Sequence, residues 1–168
     1  LNATGNYADS QSGTSKGGTF IITGNNMNMD TVNISNTNVS ANGYTGNKDI
    51  QGGAIFLTGN NTNISNSVFT NCSVKYDRND ASAGAMYIVG EKTNLVNCNF
   101  TNNTAPANGG ALVISGSDVT ITSSNFINNS AAQSGGAIFL KDNKNSQING
   151  SYFENNFAGL NGGAIDFY

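Results

Sequence analysis

The chain has 168 residues, of which 37% are hydrophobic and only 10% are charged, with a formal net charge of −3 at pH 7. Low charge and appreciable apolar content exclude a disordered chain, and the acidic balance argues against nucleic-acid binding, which needs a basic patch. Histidine is absent, which removes the Ser-His and Cys-His nucleophile systems and the usual zinc ligand sets, so we predict no metal and no cofactor.

A glycine motif recurs along the whole sequence. It begins with "GGTF" at Gly17, and its copies start at residues 17, 52, 83, 109, 135 and 162, which are 26 to 35 residues apart. A unit of this size cannot bury its own apolar residues, but a stack of such units can. The period therefore indicates a solenoid.

Each repeat predicts three short strands separated by turns rich in Gly, Asn and Ser. The first strand follows the glycines, the second contains a single aliphatic residue, and the third is centred on Phe. In the first copy, Ile34 takes the aliphatic place and Val39 takes the Phe place. In the later copies the two places fall on Ile64 and Phe69, Leu95 and Phe100, Ile121 and Phe126, and Ile148 and Phe153.

These strands predict an all-β fold, a right-handed parallel β-helix of about five coils with 26–35 residues and three strands per coil. Residues 1–168 would form a single domain and a segment of a longer repeat protein, and no apolar run is long enough for a direct membrane span. Strand alternation points two apolar columns into the core. These columns are Phe20, Ile55, Met86, Leu112, Ile138 and Ile165, and Ile22, Leu57, Ile88, Ile114, Leu140 and Phe167.

Polar and thiol side chains also align in this register. Two residues after the Phe column stand Asn71, Asn102, Asn128 and Asn155, which we expect to form an inward ladder of stacked amides. Cys72 and Cys98 fall at different points of neighbouring coils, so we expect free thiols.

The outward column of the strand after the glycines is unusually apolar. An exposed stripe of this kind could bind a glycan, a peptide or a protein, whereas the alternatives are a covering loop or ordinary β-prone surface. Asp166 ends the column without an acidic neighbour one or two coils earlier. The candidate binding stripe consists of Ile21, Phe56, Tyr87, Val113 and Phe139.

Two neighbouring copies carry insertions before the next glycines. The inserted stretches, "NGYTGNKDIQ" and "VKYDRNDASA", should lie side by side on consecutive coils, since insertions on solenoids form loops on one face. They would form binding loops or reflect neutral drift in loop length. The candidate loop residues are Tyr44, Lys48, Asp49, Tyr76, Asp77, Arg78 and Asp80.

Sequons of the Asn-x-Ser/Thr type are abundant in this Asn-rich chain. We predict Asn33, Asn60, Asn63 and Asn149 as candidate N-glycosylation sites, and we exclude Asn71, Asn102 and Asn128 because the predicted ladder points them inward.

The paired motifs carry a family resemblance. "GGAI" or "GGAL", combined with "FTNN", "FINN" and "FENN", resembles the repeats of polymorphic outer membrane proteins, best known from chlamydial surface autotransporters. Cys72, Ala83, Thr19 and Val39 depart from the pattern. The Asn-rich composition is similar to that of adhesin-like surface proteins of methanogenic archaea. The resemblance implies a cell-surface or secreted β-helix with a role in adhesion.

The leading hypothesis is therefore a non-catalytic adhesin or stalk segment, extracellular or at the cell surface, that contacts a protein or glycan of a host or neighbouring cell. The alternative is a structural protein whose copies stack end to end, because solenoid ends without a cap expose strand edges. A polysaccharide-cleaving enzyme is the third hypothesis, but it would need clustered acidic residues on adjacent strands.

Overall fold

The computed structural model describes residues 1–10, 14–41, 49–76 and 81–168. These residues form 26 short β-strands. None of them belongs to a helix that could cross a membrane.

The strands are arranged in successive coils. The first coil holds β1 (Asn2–Thr4), β2 (Tyr7–Ser10), β3 (Ser15–Lys16), β4 (Phe20–Thr23) and β5 (Asn28–Asp30). The second holds β6 (Asn33–Ser35), β7 (Asn38–Ala41), β8 (Ile50–Gln51), β9 (Ile55–Thr58) and β10 (Thr62–Ser65). The third holds β11 (Val68–Thr70), β12 (Ser73–Lys75), β13 (Ala81–Ser82), β14 (Met86–Val89) and β15 (Thr93–Val96). The fourth holds β16 (Asn99–Thr101), β17 (Thr104–Ala105), β18 (Leu112–Ser115) and β19 (Thr120–Thr122). The fifth holds β20 (Asn125–Ile127), β21 (Ser130–Ala131), β22 (Ile138–Lys141) and β23 (Gln147–Asn149). A further turn contributes β24 (Tyr152–Glu154), β25 (Phe157–Ala158) and β26 (Ile165–Phe167).

Each strand pairs in parallel with its counterpart one coil away, which gives five sheets. We call β1-β6-β11-β16-β20-β24 the Phe sheet, β4-β9-β14-β18-β22-β26 the glycine-motif sheet, and β3-β8-β13 the lateral sheet. The other two sheets are β5-β10-β15-β19-β23 and β2-β7-β12-β17-β21-β25. The predicted all-β solenoid of about five coils is thus confirmed.

The number of strands per coil is larger than the three that we predicted. Four or five short strands make up each of the first five coils. The predicted Phe strand is divided at a left-handed residue, such as Asn71 with φ 53°, and a separate short strand follows it. In the first three coils the lateral sheet adds another strand before the glycines.

The core lies between the Phe sheet and the glycine-motif sheet. The inward columns after the glycines are confirmed: their members are fully buried from Ile55 to Leu140 and partly buried or exposed in the first and last turns. In the Phe column, adjacent rings stack nearly parallel from Phe69 to Phe153, with centroids 4.9 to 5.0 Å apart. This spacing matches the separation of neighbouring strands, so each ring packs on the ring of the next coil.

The assignment of Ile34 and Val39 was wrong by one strand. Ile34 pairs in register with Phe69 and fills the Phe column, whereas Met29 pairs with Ile64 in the aliphatic place. Val39 instead pairs with Val74 on the following short strand. The prediction failed because the tetrapeptide "NISN" occurs twice, around Ile34 and around Ile64, and the two copies occupy different places in their coils.

The predicted inward ladder was also displaced by one residue. Asn71, Asn102, Asn128 and Asn155 have positive φ and point outward, where Asn71 Nδ2 donates to Asn36 Oδ1 at 3.1 Å. Asparagine tolerates this left-handed conformation, and the turn that it makes reverses the expected parity. The inward ladder consists of the residues that follow: Asn103 and Asn129, which are buried, and Asn156, which is partly buried.

The buried amides replace backbone hydrogen-bond partners at this corner. Asn129 Oδ1 accepts from the backbone N–H and from Nδ2 of Asn103, both at 3.0 Å. Asn129 Nδ2 donates to the Phe100 carbonyl oxygen and to Asn156 Oδ1, again at 3.0 Å. Each amide thus ties its own coil to the two adjacent ones and leaves few buried polar groups without a partner.

The two cysteines are free, as predicted, and both are buried. Cys72 occupies the ladder position of its coil, where its backbone N–H donates to Asn103 Oδ1 at 3.0 Å. Burial raises the pKa of the Cys72 thiol to about 11 and also raises the pKa of Cys98. Both thiols are therefore protonated and unreactive in the folded protein.

The second glycine of each motif allows two coils to approach at the backbone. A Cβ on Gly53 would lie 1.9 Å from the carbonyl oxygen of Gly84, and one on Gly110 would lie 2.0 Å from that of Gly136. The first glycine has a different role, since Gly52 has φ 69° and forms a left-handed corner. The glycines therefore set the contact between coils.

Gly53→Ala should lower the free energy of unfolding by about 3 kcal/mol or more, because the coils would have to separate to admit the methyl group. Gly163 occupies the same place in the last motif, where a Cβ would meet only the Asn156 carbonyl oxygen at 3.8 Å. Gly163→Ala is the matched control and should stay within about 1 kcal/mol of wild type. Urea denaturation measures both, and equal effects would contradict the close-approach account.

Asn129→Ala should cost about 2–4 kcal/mol, because it leaves the Asn103 N–H and the Phe100 carbonyl buried without their amide partner. The neighbouring exposed residue provides the control, since Asn128 has φ 56° and glycine adopts that conformation freely. Asn128→Gly should therefore change thermal stability by less than about 1 kcal/mol. A larger loss from Asn128→Gly than from Asn129→Ala would restore the ladder that the sequence predicted.

Candidate binding surface

The candidate binding stripe lies on the outer face of the glycine-motif sheet. Strand pairing aligns its members in one column, with Phe56 opposite Tyr87 and Val113 opposite Phe139. They lie outside the main core, because the flanking inward positions on the same strands fill it. Asp166 continues the column beyond Phe139.

The stripe is far less exposed than an open binding surface would be. Ile21 is 64% exposed, but Phe56, Val113 and Phe139 are only 7%, 2% and 8% exposed, and Tyr87 is half-buried. Val113, Phe139 and Ala83 form a separate apolar cluster against which Tyr87 packs. Of the alternatives that the sequence left open, the covered row applies to the middle part of the stripe, which forms an outer apolar layer.

Residues from the lateral sheet and neighbouring rings cover this layer. Lys16 Nζ lies 4.2 Å from the centroid of the Phe56 ring, a cation–π geometry. The ring of Phe56 also stacks on Tyr87 with centroids 5.8 Å apart. Lys16 comes from β3, so an element that the sequence did not predict provides the cover.

Charges surround the row at its edges. Lys16 Nζ lies 4.0 Å from Asp49 Oδ2, a partly exposed pair that contributes at most about 1 kcal/mol. Burial, followed by the charges of Asp49 and Asp142, raises the pKa of the Tyr87 hydroxyl. Tyr87 is therefore a neutral hydroxyl at the centre of the face, able to donate and to accept a hydrogen bond.

The predicted loops emerge beside the lateral sheet. Tyr44, Lys48, Asp77, Arg78 and Asp80 lie outside the described residues, whereas Asp49 is exposed at the end of one insertion and Tyr76 is half-buried at the start of the other. The strands that flank the insertions are paired, with Lys75 opposite Ser40 and Ala81 opposite Ile50. Both insertions therefore leave and re-enter the solenoid side by side.

A small second core supports this side of the molecule. Val39, Ala41, Ile50, Val74 and Ala81 are buried together, and Ala8 and Tyr76 pack against them. Sequence reasoning missed this cluster, although the apolar residues that flank each insertion were a signal for it. The second core packs against the lateral sheet and anchors it to the first three coils.

The sequons that we singled out are on the surface. Asn33, Asn60, Asn63 and Asn149 are all exposed. Asn71, Asn102 and Asn128 are exposed as well, so the reason for excluding them was wrong. Two of these amides form surface hydrogen bonds to a neighbouring coil: Asn63 Oδ1 accepts from Asn94 Nδ2 at 2.9 Å, and Asn71 Nδ2 donates to Asn36 Oδ1 at 3.1 Å.

The placement of acidic side chains bears on the chemistry that this face could support. Within the described ranges, no group of three or more His, Cys, Asp or Glu side chains is placed to hold a metal ion. Asp166 pairs in register with Phe139, which itself pairs with Val113, so its column provides apolar neighbours only. What the face offers is an apolar layer with charged and hydroxyl groups at its edges.

Comparison with known proteins identifies the class of repeat. The family model of the Chlamydia polymorphic membrane protein repeat matches residues 97–115, 123–141 and 150–167. Each match joins a Phe strand to the next glycine motif, so three segments of the last coils are similar to this repeat. Neither the curated proteins nor the solved structures include a match to this chain.

Replacing Phe56 and Phe139 by Ser should lower the free energy of unfolding, by about 2–3 kcal/mol for each ring, because both are buried under neighbouring side chains. Ile21→Ser is the matched control in the same column, and its 64% exposure predicts a change of less than about 1 kcal/mol. Thermal or urea denaturation checks this. If all three variants were as stable as wild type, the rings would be open surface after all.

Proposed function

We propose that this chain is a non-catalytic segment of a cell-surface adhesin, in which the solenoid acts as a stiff rod that presents a binding face. The observation that carries the proposal is the set of three segments similar to the polymorphic membrane protein repeat, stacked in unbroken register with the preceding coils. The repeat family supports a location at the outer membrane or cell surface. The partner would be a protein or glycan of a host or neighbouring cell.

The form of the molecule fits this role. The core continues from coil to coil through stacked Phe rings and buried amides, so the rod is rigid along its axis. The lateral sheet and its supporting cluster make one side of the first three coils irregular. A regular rod with one irregular side is suited to hold a recognition surface away from a cell.

A catalytic role is not part of the proposal, because a carbohydrate-cleaving site needs two acidic groups, or an acid and a base, facing one bond. Asp166 has Phe139 and not a second carboxylate as its partner in register. Release of reducing ends from a polysaccharide panel by the purified chain would overturn this part.

The purified, folded chain should bind saturably to at least one member of an array of cell-surface proteins and glycans, and heat-denatured chain should not. Antibody labelling of intact source cells should detect the protein without permeabilisation. Absence of any folded-state binding, or labelling only after permeabilisation, would overturn the adhesin proposal.

A second candidate function is end-to-end assembly into a filament or coat. It would extend to a second copy the parallel pairing that already joins equivalent strands of adjacent coils. Light scattering across a concentration series separates the two functions, because a stalk segment remains monomeric whereas an assembling protein grows into rods.

A further inference from the structure

The outer face of the Phe sheet is regular over four successive coils in the interior of the stack. Strands β6, β11, β16 and β20 pair with one another there, and β1 and β24 cover the two ends of this stretch. Side chains alternate along each strand, so two positions of every strand point outward. These positions hold Asn33 and Ser35, Val68 and Thr70, Asn99 and Thr101, and Asn125 and Ile127. All eight are at least partly exposed, whereas the residue between each pair is fully buried.

A column of asparagines completes this face along one edge. Asn36, Asn71, Asn102 and Asn128 follow the four strands, are exposed and have φ between 53° and 56°. Because all four have the same left-handed conformation, their amides project from equivalent places in each coil. We call these four asparagines, together with the outward positions of the four strands, the polar face.

Much of the hydrogen-bonding capacity of the polar face is unused. Some amides contact the next coil, such as Asn125 Nδ2, which donates to Asn99 Oδ1 at 2.7 Å. The hydroxyls of Thr70 and Thr101 form no hydrogen bond with any described residue, and the same is true of the Asn102 and Asn128 amides. Each of these groups can donate and accept a hydrogen bond, and so can a sugar hydroxyl.

The groups on the polar face favour an uncharged partner. The face presents amides, hydroxyls and two apolar side chains, and Glu154 on β24 ends the uncharged stretch. The outward positions of three other sheets include exposed charged side chains, which are Asp30, Lys75 and Lys141. An ionic ligand would find its opposite charge on those sheets, whereas neutral hydroxyls match the polar face.

The spacing of the coils selects a partner with the same repeat distance. The stacked Phe rings beneath the polar face lie 4.9 to 5.0 Å apart from one coil to the next. An extended peptide repeats its side chains every ~6.7 Å and would lose register with the coils. A glycan whose sugars are joined by equatorial 1,4 linkages advances by nearly one coil spacing per sugar. Each of its sugars can therefore meet an equivalent set of groups.

We propose that the polar face binds a neutral, extended β-1,4-linked glycan, which lies along the solenoid axis with one sugar on each coil. The free Thr70 and Thr101 hydroxyls and the Asn102 and Asn128 amides bind sugar hydroxyls, while Val68 contacts the apolar face of a sugar ring. Each contact is weak because the face is open to water, so affinity comes from the number of coils engaged. The inference rests on the proposed adhesin function and specifies the class of its ligand.

Calorimetric titration of the folded chain tests the length and linkage of the ligand. The probes are β-1,4-linked oligomers of glucose, mannose, xylose and N-acetylglucosamine, from the single sugar to the hexamer. At least one series should bind, with affinity that rises about threefold or more per sugar up to the tetramer. The matched control is the α-1,4-linked glucose series, whose axial linkages curve the chain away from the coil spacing. It should bind about tenfold more weakly or not at all.

Two double variants test the place of contact. Thr70→Val with Thr101→Val keeps the branched shape and removes both hydroxyls. Asn102→Gly with Asn128→Gly removes two amides and keeps the left-handed backbone. Each double variant should weaken binding of the tetramer about tenfold, through the loss of two hydrogen bonds, and should leave thermal stability near that of wild type.

Asn61→Gly with Asn145→Gly is the matched control, because it makes the same change at left-handed asparagines of a different corner, and it should leave binding unchanged. Binding that ignores length or linkage, or that survives both polar-face variants, would overturn the glycan assignment. So would array binding to proteins only, or self-association that the polar-face variants abolish. In these cases any partner found on the array would leave the adhesin proposal standing. No binding by the wild-type chain to any protein or glycan would overturn both.

Discussion

The structure depends on how closely the backbones of successive coils approach at the glycine corner. The second glycine of one motif lies against the carbonyl oxygen of the next, with room for a hydrogen and none for a methyl group at Gly53 and Gly110. Because that contact recurs in each coil, the strands stack with no drift in register. Rings, aliphatic side chains and amides then fall into columns, and each coil buries the apolar residues of its neighbour.

The same register aligns the side chains on the outside of the solenoid, where individual coils depart from the regular pattern. A perfectly repeated outer face would present one column after another of equivalent side chains. In this protein the first three coils add the lateral sheet, which brings Lys16 over Phe56, and the last two coils place Phe139 beside Tyr168. The repeats therefore account for the regular stacking of the coils, and the irregular coils account for the differences along the outer face.

Much of the fold could be predicted from the sequence because strand parity and repeat period are local properties. They gave the inward columns, the glycine corner and the Phe stack, since each follows from residues a few positions apart. The errors arose where the chain leaves its period. "NISN" occurs twice, yet Ile34 stands opposite Phe69 and Ile64 opposite Met29, because pairing with the next coil selects the column. The prediction that Asn71 and Asn128 point inward was wrong because both residues have positive φ. A left-handed residue reverses the inward and outward alternation of the side chains, and the repeat pattern does not show where this happens.

The sequence by itself determined that this protein is a stack of β coils, which residues fill its centre, and that Phe56, Tyr87 and Phe139 face outward. Only the tertiary structure decided whether those outward side chains are open to solvent. Lys16, which lies on the first coil, covers Phe56 of the second coil. Such convergence joins residues that one or more repeats separate along the chain. It depends on which strands pair between coils, and a local pattern does not contain that information.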